Sequence, residues 1–368
     1  MNAFCILFAN AYATNEISEL TRTRIPASIP FGGRYRLIDF ILSSLVKASV
    51  RDLGIITNTK YASLVDHVGN GKDWDLSRKN GGLKILPPYR NGILSSHDDF
   101  FRSLYDINRY VKDMLQEYCI LGATNMVFNI DFEDVLSFHQ KSDADITVVY
   151  RKAPAQRGDM EIECDETGRV HDALLCTSDT SDIKPVTMKL YLMKKDLLLS
   201  LIDKGATFGW EDFDIDVIAK RSESLKIYGY EHKGYCAVIN SLDSFYRANM
   251  DLLNLDIQKE LLKSDYSILT RIKDSVPTVY GDNNCVKNSF VADGCHIDGT
   301  VENSIIFRDV KIAKGAVVKD SIIMQNTQIA SGASLNCVIS DKNVKIGENI
   351  VLTGNPQLPF VIGKGKVV

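Results

Sequence analysis

An α/β sheet domain followed by a parallel β-helix is the fold this sequence predicts. Three observations predict it. Up to about residue 240, short apolar runs alternate with longer amphipathic stretches, as strands and helices do in a sheet covered on both faces. From Ser241 to Leu262 apolar residues recur at spacings of three and four. Beyond Pro277, which disfavours helix in the residue before it, the chain becomes self-similar.

In chain order, Phe4–Phe8, Leu53–Thr57, Cys119–Gly122 and Ile146–Tyr150 are the strand candidates, and Leu37–Ala48 and Phe100–Leu115 have helical apolar spacing. Phe245, Ala248, Leu252, Leu255 and Leu262 predict one helix over Ser241–Leu262, bridging two domains. The expected division is 1–240, a helical linker 241–276, and 277–368. In the last part, Ser304-Ile-Ile-Phe-Arg-Asp-Val-Lys-Ile-Ala-Lys-Gly aligns with the segments starting at Ser321 and Val338, and a shorter unit starts at Ser289. Ile297, Ile312, Ile329 and Ile346 are then equivalent, with Val318, Leu335 and Leu352 following the last three by six residues. A branched aliphatic every six residues is the mark of hexapeptide coils, whose open faces must stack and whose terminal coils invite a partner.

With 368 residues, 45% hydrophobic and 24% charged, the chain reads as an ordinary soluble globular protein of two domains. A net charge of -4 argues against non-specific binding to nucleic acid or anionic membrane. No apolar run reaches the length of a membrane span, and Met1–Ala13 lacks the basic flank of a signal peptide. The eight cysteines are scattered without a C-x-x-C pair, which suggests reduced core thiols of a cytoplasmic protein rather than a zinc site.

The block Pro30-Phe31-Gly32-Gly33-Arg34-Tyr35-Arg36-Leu37-Ile38-Asp39-Phe40 resembles bacterial ADP-glucose pyrophosphorylase. So do Asp66-His67-Val68-Gly69, Trp74-Asp75-Leu76, Ile85-Leu86-Pro87-Pro88, Tyr246–Leu252 and Val286–Cys295, spread over nearly the whole chain in the family's order. The resemblance implies a Rossmann-like nucleotidyltransferase (GT-A-like) domain followed by a left-handed parallel β-helix. It also implies a family that makes ADP-glucose from ATP and glucose 1-phosphate with Mg²⁺, usually as a tetramer.

The family's chemistry is missing at the matching positions. Ala9–Glu16 has neither glycine nor cation where a glycine-rich loop would wrap phosphates through its N–H groups. The loop arginine falls on Asn15 and the following lysine on Pro26. The metal aspartates fall on Asn125 and Val238, and the sugar-phosphate grip on Leu175-Cys176-Thr177. The nucleotide motif becomes Ser95-Ser96-His97-Asp98-Asp99, a vestigial pocket at Ser95, Ser96 and Asp98. Mg²⁺ demands charged oxygens in octahedral array, and an amide beside a valine supplies none. No metal and no cofactor are therefore expected here, Mg²⁺ belonging to a catalytic partner.

The pattern, including Asn129-Ile130-Asp131-Phe132, is similar to the GlgD-type subgroup. That implies a regulatory, non-catalytic subunit paired with a catalytic pyrophosphorylase subunit in a heterotetramer, or a homo-oligomer when alone. Two alternatives remain: an active adenylyltransferase with ligands relocated to Asp98 or Asp131, and a stand-alone sensor of a sugar phosphate or nucleotide.

Among single residues, Arg24, Arg34 and Arg36 are candidates for binding a phosphorylated effector, against salt bridges to Asp39 and Asp52. Lys47 and Arg51 read as exposed helix charges. Asp131, Asp134, Asp143 and Asp145 read as structural, and His67 as a packed or capping residue. His139, His171, His232 and His296 have no partner at useful spacing, and Gly69–Gly82 reads as a mobile surface loop.

Overall fold

A computed structural model describes residues 1–10, 15–57, 59–79, 81–87, 89–90, 93–94, 100–262 and 267–368. The strand Ala3–Phe8 is apolar at every position because it lies inside a sheet buried on both faces. Ala3, Cys5 and Leu7 enter one core, while Phe4, Ile6 and Phe8 enter the other, as strand alternation requires. It pairs in parallel with Asp52–Ile56 and Tyr118–Ala123. The order across the sheet is Val170–Leu175, Met160–Cys164, Ile183–Lys194, Tyr118–Ala123, Ala3–Phe8, Asp52–Ile56 and Leu83–Leu86. Ile146–Pro154 also pairs with Ile183–Lys194, and Ile227–Glu231 lies beside it.

After residue 277 three five-stranded parallel sheets wind into a left-handed β-helix. The repeat arithmetic holds to the residue. Ile297, Ile312, Ile329 and Ile346 pair in succession, as do Val301, Val318, Leu335 and Leu352. At one turn the Ser304 hydroxyl accepts from Ser321 N–H at 3.1 Å, and the Ser321 hydroxyl from Val338 N–H at 3.0 Å. Asn and Asp dominate other corners, with φ near +60° at Asp309, Asn326 and Asn343, which their short polar side chains tolerate. Leu335 is fully buried inside this stack. Leu335→Ala should cost about 3 kcal/mol, read as a fall in the urea midpoint at unchanged slope.

The linker differs from expectation. Instead of one helix there are two, Leu242–Asp251 and Leu255–Leu262. The break falls where the Asn254 side chain accepts from Asp256 N–H at 2.9 Å, offering the backbone a local alternative to the helix. The first helix wedges Phe245 and Leu252 into a core shared with Phe31, Phe40, Ile305, Ile322 and Ile339, so it joins sheet domain to β-helix. Phe100–Leu115 likewise divides, into Phe100–Asp106 and Asn108–Asp113, at Ile107 (φ -99°, ψ 12°). Gly69–Gly82 is packed rather than a free loop, because Trp74 and Leu76 are buried anchors within it. Among the described residues no helix is long and apolar enough to cross a membrane.

Candidate functional site

Two cavities matter, and sequence-singled residues line both. The first lies at the carboxyl ends of the central parallel strands, where α/β sheets place ligands. Asn125 follows the strand Tyr118–Ala123, and Val238 ends a short strand whose register sets it opposite Met126. Ile239 N–H donates to the Asn125 carbonyl at 2.8 Å, so the two positions matched to metal aspartates stand side by side. With Arg157, Asp159, Thr187, Met188, Lys189 and Asn240 they line a cavity of about 210 Å³. Cys176 is next to this wall: its N–H donates to the Asp159 carbonyl at 2.8 Å, and its carbonyl accepts from Gly158 N–H at 2.9 Å.

The nearby acids are paired or buried. Asp214 is engaged by Lys189 Nζ at 3.0 Å and by the Tyr191 hydroxyl. Burial raises the Asp159 carboxyl above its usual range, which favours its neutral form. Among the described residues no group of three or more His, Cys, Asp or Glu is arranged to hold a metal. The donors at Asn125 and Val238 do not fit Mg²⁺. Asp131 lies elsewhere, capping the helix Phe132–Lys141 and paired with Lys47 at 3.1 Å, so Lys47 is not a free surface charge. Asn15 begins a short 3-10 turn, and Pro26 is buried in another. Ser95, Ser96 and Asp98 lie outside the described residues.

The second cavity, about 40 Å³, sits between the Pro-Phe-Gly-Gly turn and the β-helix. Gly33 has φ +79°, and a Cβ there would meet the Phe290 ring at 3.3 Å, so the turn needs glycine to approach the β-helix. Arg34, Arg36, Arg271, Lys273, Arg308 and Lys342 line this pocket with His67, and no carboxylate does. Arg308 is buried, and its Nε has no hydrogen-bond partner among the described residues, although it lies 3.7 Å from the Asp293 carboxylate. Burial, reinforced by neighbouring cations, pulls Arg36 down to about 10 and Lys342 to about 7. His67 is held neutral mainly by burial, although Asp39 accepts or shares its Nε2 proton at 2.6 Å. Cations crowded this way around a small cavity can attract an anion.

Arg24 is a correction. It turns away into a buried pair with Asp341, at 2.9 and 3.0 Å, and does not line the pocket. Arg36 N–H donates to Asp39 and its guanidinium holds Ser63, while Asp52 serves Gly82 N–H and Gln116, so the alternative salt bridges do not form. His171 does have a partner, Asp165 at 3.0 Å, but on the exposed surface. Arg308 and Lys342 escaped the sequence reading although the repeat carries them: 308, 325 and 342 are the same position of successive coils.

Sulfate, which does not titrate near neutrality, tests the pocket. Its affinity should fall roughly three- to tenfold between pH 6 and pH 8 as Lys342 loses its proton, measured by calorimetry. Stability moves oppositely. Above pH 7 only the unfolded chain protonates this lysine, so stability rises with pH until the usual lysine value, and Lys342→Met should flatten that slope.

Comparison with known proteins agrees with this anatomy. A nucleotidyl transferase family model matches residues 15–172, and a GlmU-like C-terminal hexapeptide model matches 276–358. The chain is 38% identical over 355 residues to the glycogen biosynthesis protein GlgD of Bacillus subtilis, covering 96% of this chain and 93% of that protein. It is 37% identical to the GlgD of Geobacillus stearothermophilus, over 95% and 93% of the two chains. A glucose-1-phosphate adenylyltransferase of Clostridium botulinum is 29% identical over 83% of this chain and 80% of its own. At such identity over nearly the full length, the chain belongs to the GlgD family of glycogen biosynthesis proteins, within the wider ADP-glucose pyrophosphorylase group.

Proposed function

We propose that this chain is a regulatory, non-catalytic subunit of a heteromeric ADP-glucose pyrophosphorylase in glycogen synthesis. Its catalytic partner makes ADP-glucose from ATP and glucose 1-phosphate, and supplies the Mg²⁺ site. The observation that carries this reading is the pairing of Asn125 with Val238 in a cleft whose remaining acids are neutral-leaning or already engaged. Nucleotidyl transfer gathers negative charge at phosphorus, and such a cleft has no clamp for it.

The basic pocket gives the subunit something to sense. A phosphorylated effector there would touch Arg34 and Arg36 on the sheet domain and Arg308 and Lys342 on the β-helix at once. Binding would therefore favour one relative setting of the domains. A coupling of about 1–3 kcal/mol across a shared interface is enough for a several-fold to hundred-fold change in the partner's response. The assembly is a cytoplasmic heterotetramer, and the chain alone self-associates.

Mixing the purified chain with a catalytic glucose-1-phosphate adenylyltransferase is the test. A joint species should appear by analytical ultracentrifugation, with a changed catalytic rate or effector response. Two proteins that sediment separately and leave each other's kinetics alone would refute the proposal.

A further inference from the structure

We propose that the hydrogen bond between Thr270 and Asp39 is a latch that positions Arg271 and Lys273 in the basic pocket. The proposal rests on reading that pocket as an anion site. It gives two residues that do not line the pocket a part in setting its affinity.

Asp39, on the helix Leu37–Lys47, is fully buried, so its carboxylate faces protein and not the pocket. Three segments converge on it. Its Oδ2 accepts from Arg36 N–H at 2.9 Å, after the Pro-Phe-Gly-Gly turn, and from the Thr270 hydroxyl at 2.6 Å. Its Oδ1 is 2.6 Å from Nε2 of His67, on the helix Ala62–Val68. Each of these segments supplies part of the pocket wall. Arg34 and Arg36 come from the turn, His67 lines it directly, and Arg271 and Lys273 follow Thr270. A hydroxyl bonded to a carboxylate at this distance is among the stronger hydrogen bonds a protein makes.

The segment carrying Thr270 depends on such ties. From 267 to 278 the chain forms neither helix nor strand, so no backbone ladder fixes it. It enters buried: Ile268 joins the core of Phe31 and Phe40. Leu269 N–H donates to the Ser43 hydroxyl at 2.9 Å, one helical turn beyond Asp39. It leaves exposed, with Ile272 at 74%. Thr270 stands where the one gives way to the other. Arg271 has a tie of its own, its guanidinium donating to the Asp66 carbonyl, but on the exposed surface. Lys273 sits among like charges: partial burial, and then Arg308, Arg271 and Arg36, lower its ammonium below the usual lysine value. Like charges separate unless they are held. Releasing Thr270 lets that repulsion move the strap, and the fraction of chains ready to take an anion falls with it.

Calorimetry on the full chain, with sulfate at about pH 6, tests the latch. Thr270→Val, nearly isosteric, should weaken sulfate binding about three- to tenfold with little change in melting temperature. Thr270→Ser, which keeps the hydroxyl, should bind like the unaltered chain. In a Lys273→Met background Thr270→Val should cost less, because one cation that it positions is gone. Hydrogen exchange on the unaltered chain reads the latch without a variant: sulfate should slow exchange across residues 268–273. The latch is overturned if Thr270→Val leaves sulfate affinity unchanged, if Lys273→Met leaves the effect of Thr270→Val undiminished, or if sulfate leaves that exchange unaltered. An unaltered chain that binds no sulfate at millimolar concentration removes the anion site and the latch together. Binding that Thr270→Val does not touch removes the latch alone.

Discussion

Given ATP, Mg²⁺ and glucose 1-phosphate, the isolated chain should form ADP-glucose at least about a thousandfold more slowly than a catalytic family member. Removing one preorganised donor to a developing oxyanion already costs about 10²–10³ in rate, and a missing metal clamp costs no less. Asn125→Asp alone should not recover activity, because Val238 still offers no ligand beside it and Asp214 stays bound to Lys189 and Tyr191. A coupled pyrophosphate-release assay on both proteins measures this. Turnover by either within about tenfold of a catalytic relative would mean that charge is being neutralised by groups other than those described.

Arg24→Met should destabilise the chain by about 3–5 kcal/mol, the cost of leaving a buried carboxylate without its cation. Arg24 and Asp341 are each 2% exposed and joined at 2.9 and 3.0 Å across 317 residues of sequence. The second Arg24 guanidinium nitrogen, Nη1, is buried without a partner among the described residues, so the pair is costly to desolvate and poor to break. The double variant Arg24→Met/Asp341→Leu should recover most of the loss, since both buried charges then go together. Urea unfolding of the set decides the matter: a single-variant cost under about 1 kcal/mol would show that the charge finds water or another partner.

How legible was all this from the residues? The β-helix was open to reading down to individual pairings, because coils that stack in register force equivalent positions to repeat. The strand Ala3–Phe8 was legible as an apolar run, and its residues do divide between two cores. The linker break at residues 252–254 was not, since helical spacing continues through it while the first helix closes in i→i+3 backbone bonds and Asn254 starts the second by accepting from Asp256 N–H. Arg34 and Arg36 are the two cations of the basic pocket that the sequence makes visible. Arg308 and Lys342 were readable in principle from the repeat, whereas Arg271 and Lys273 come from a segment with no periodic signal. Asn125 and Val238 match the family's metal positions only by resemblance, and the fold does bring them together. The Lys189–Asp214 pair had no sequence signature, because a left-handed lysine at a strand irregularity is set by tertiary context.

Titrating Mn²⁺, a paramagnetic stand-in for Mg²⁺, into the chain with ATP present asks the question most directly. Electron spin resonance should find no protein-dependent site tighter than about millimolar, and no sugar nucleotide should accumulate. One ion held per chain at micromolar free metal, with ADP-glucose appearing in the same tube, would contradict the assignment of this cleft as a site that has left catalysis to a partner.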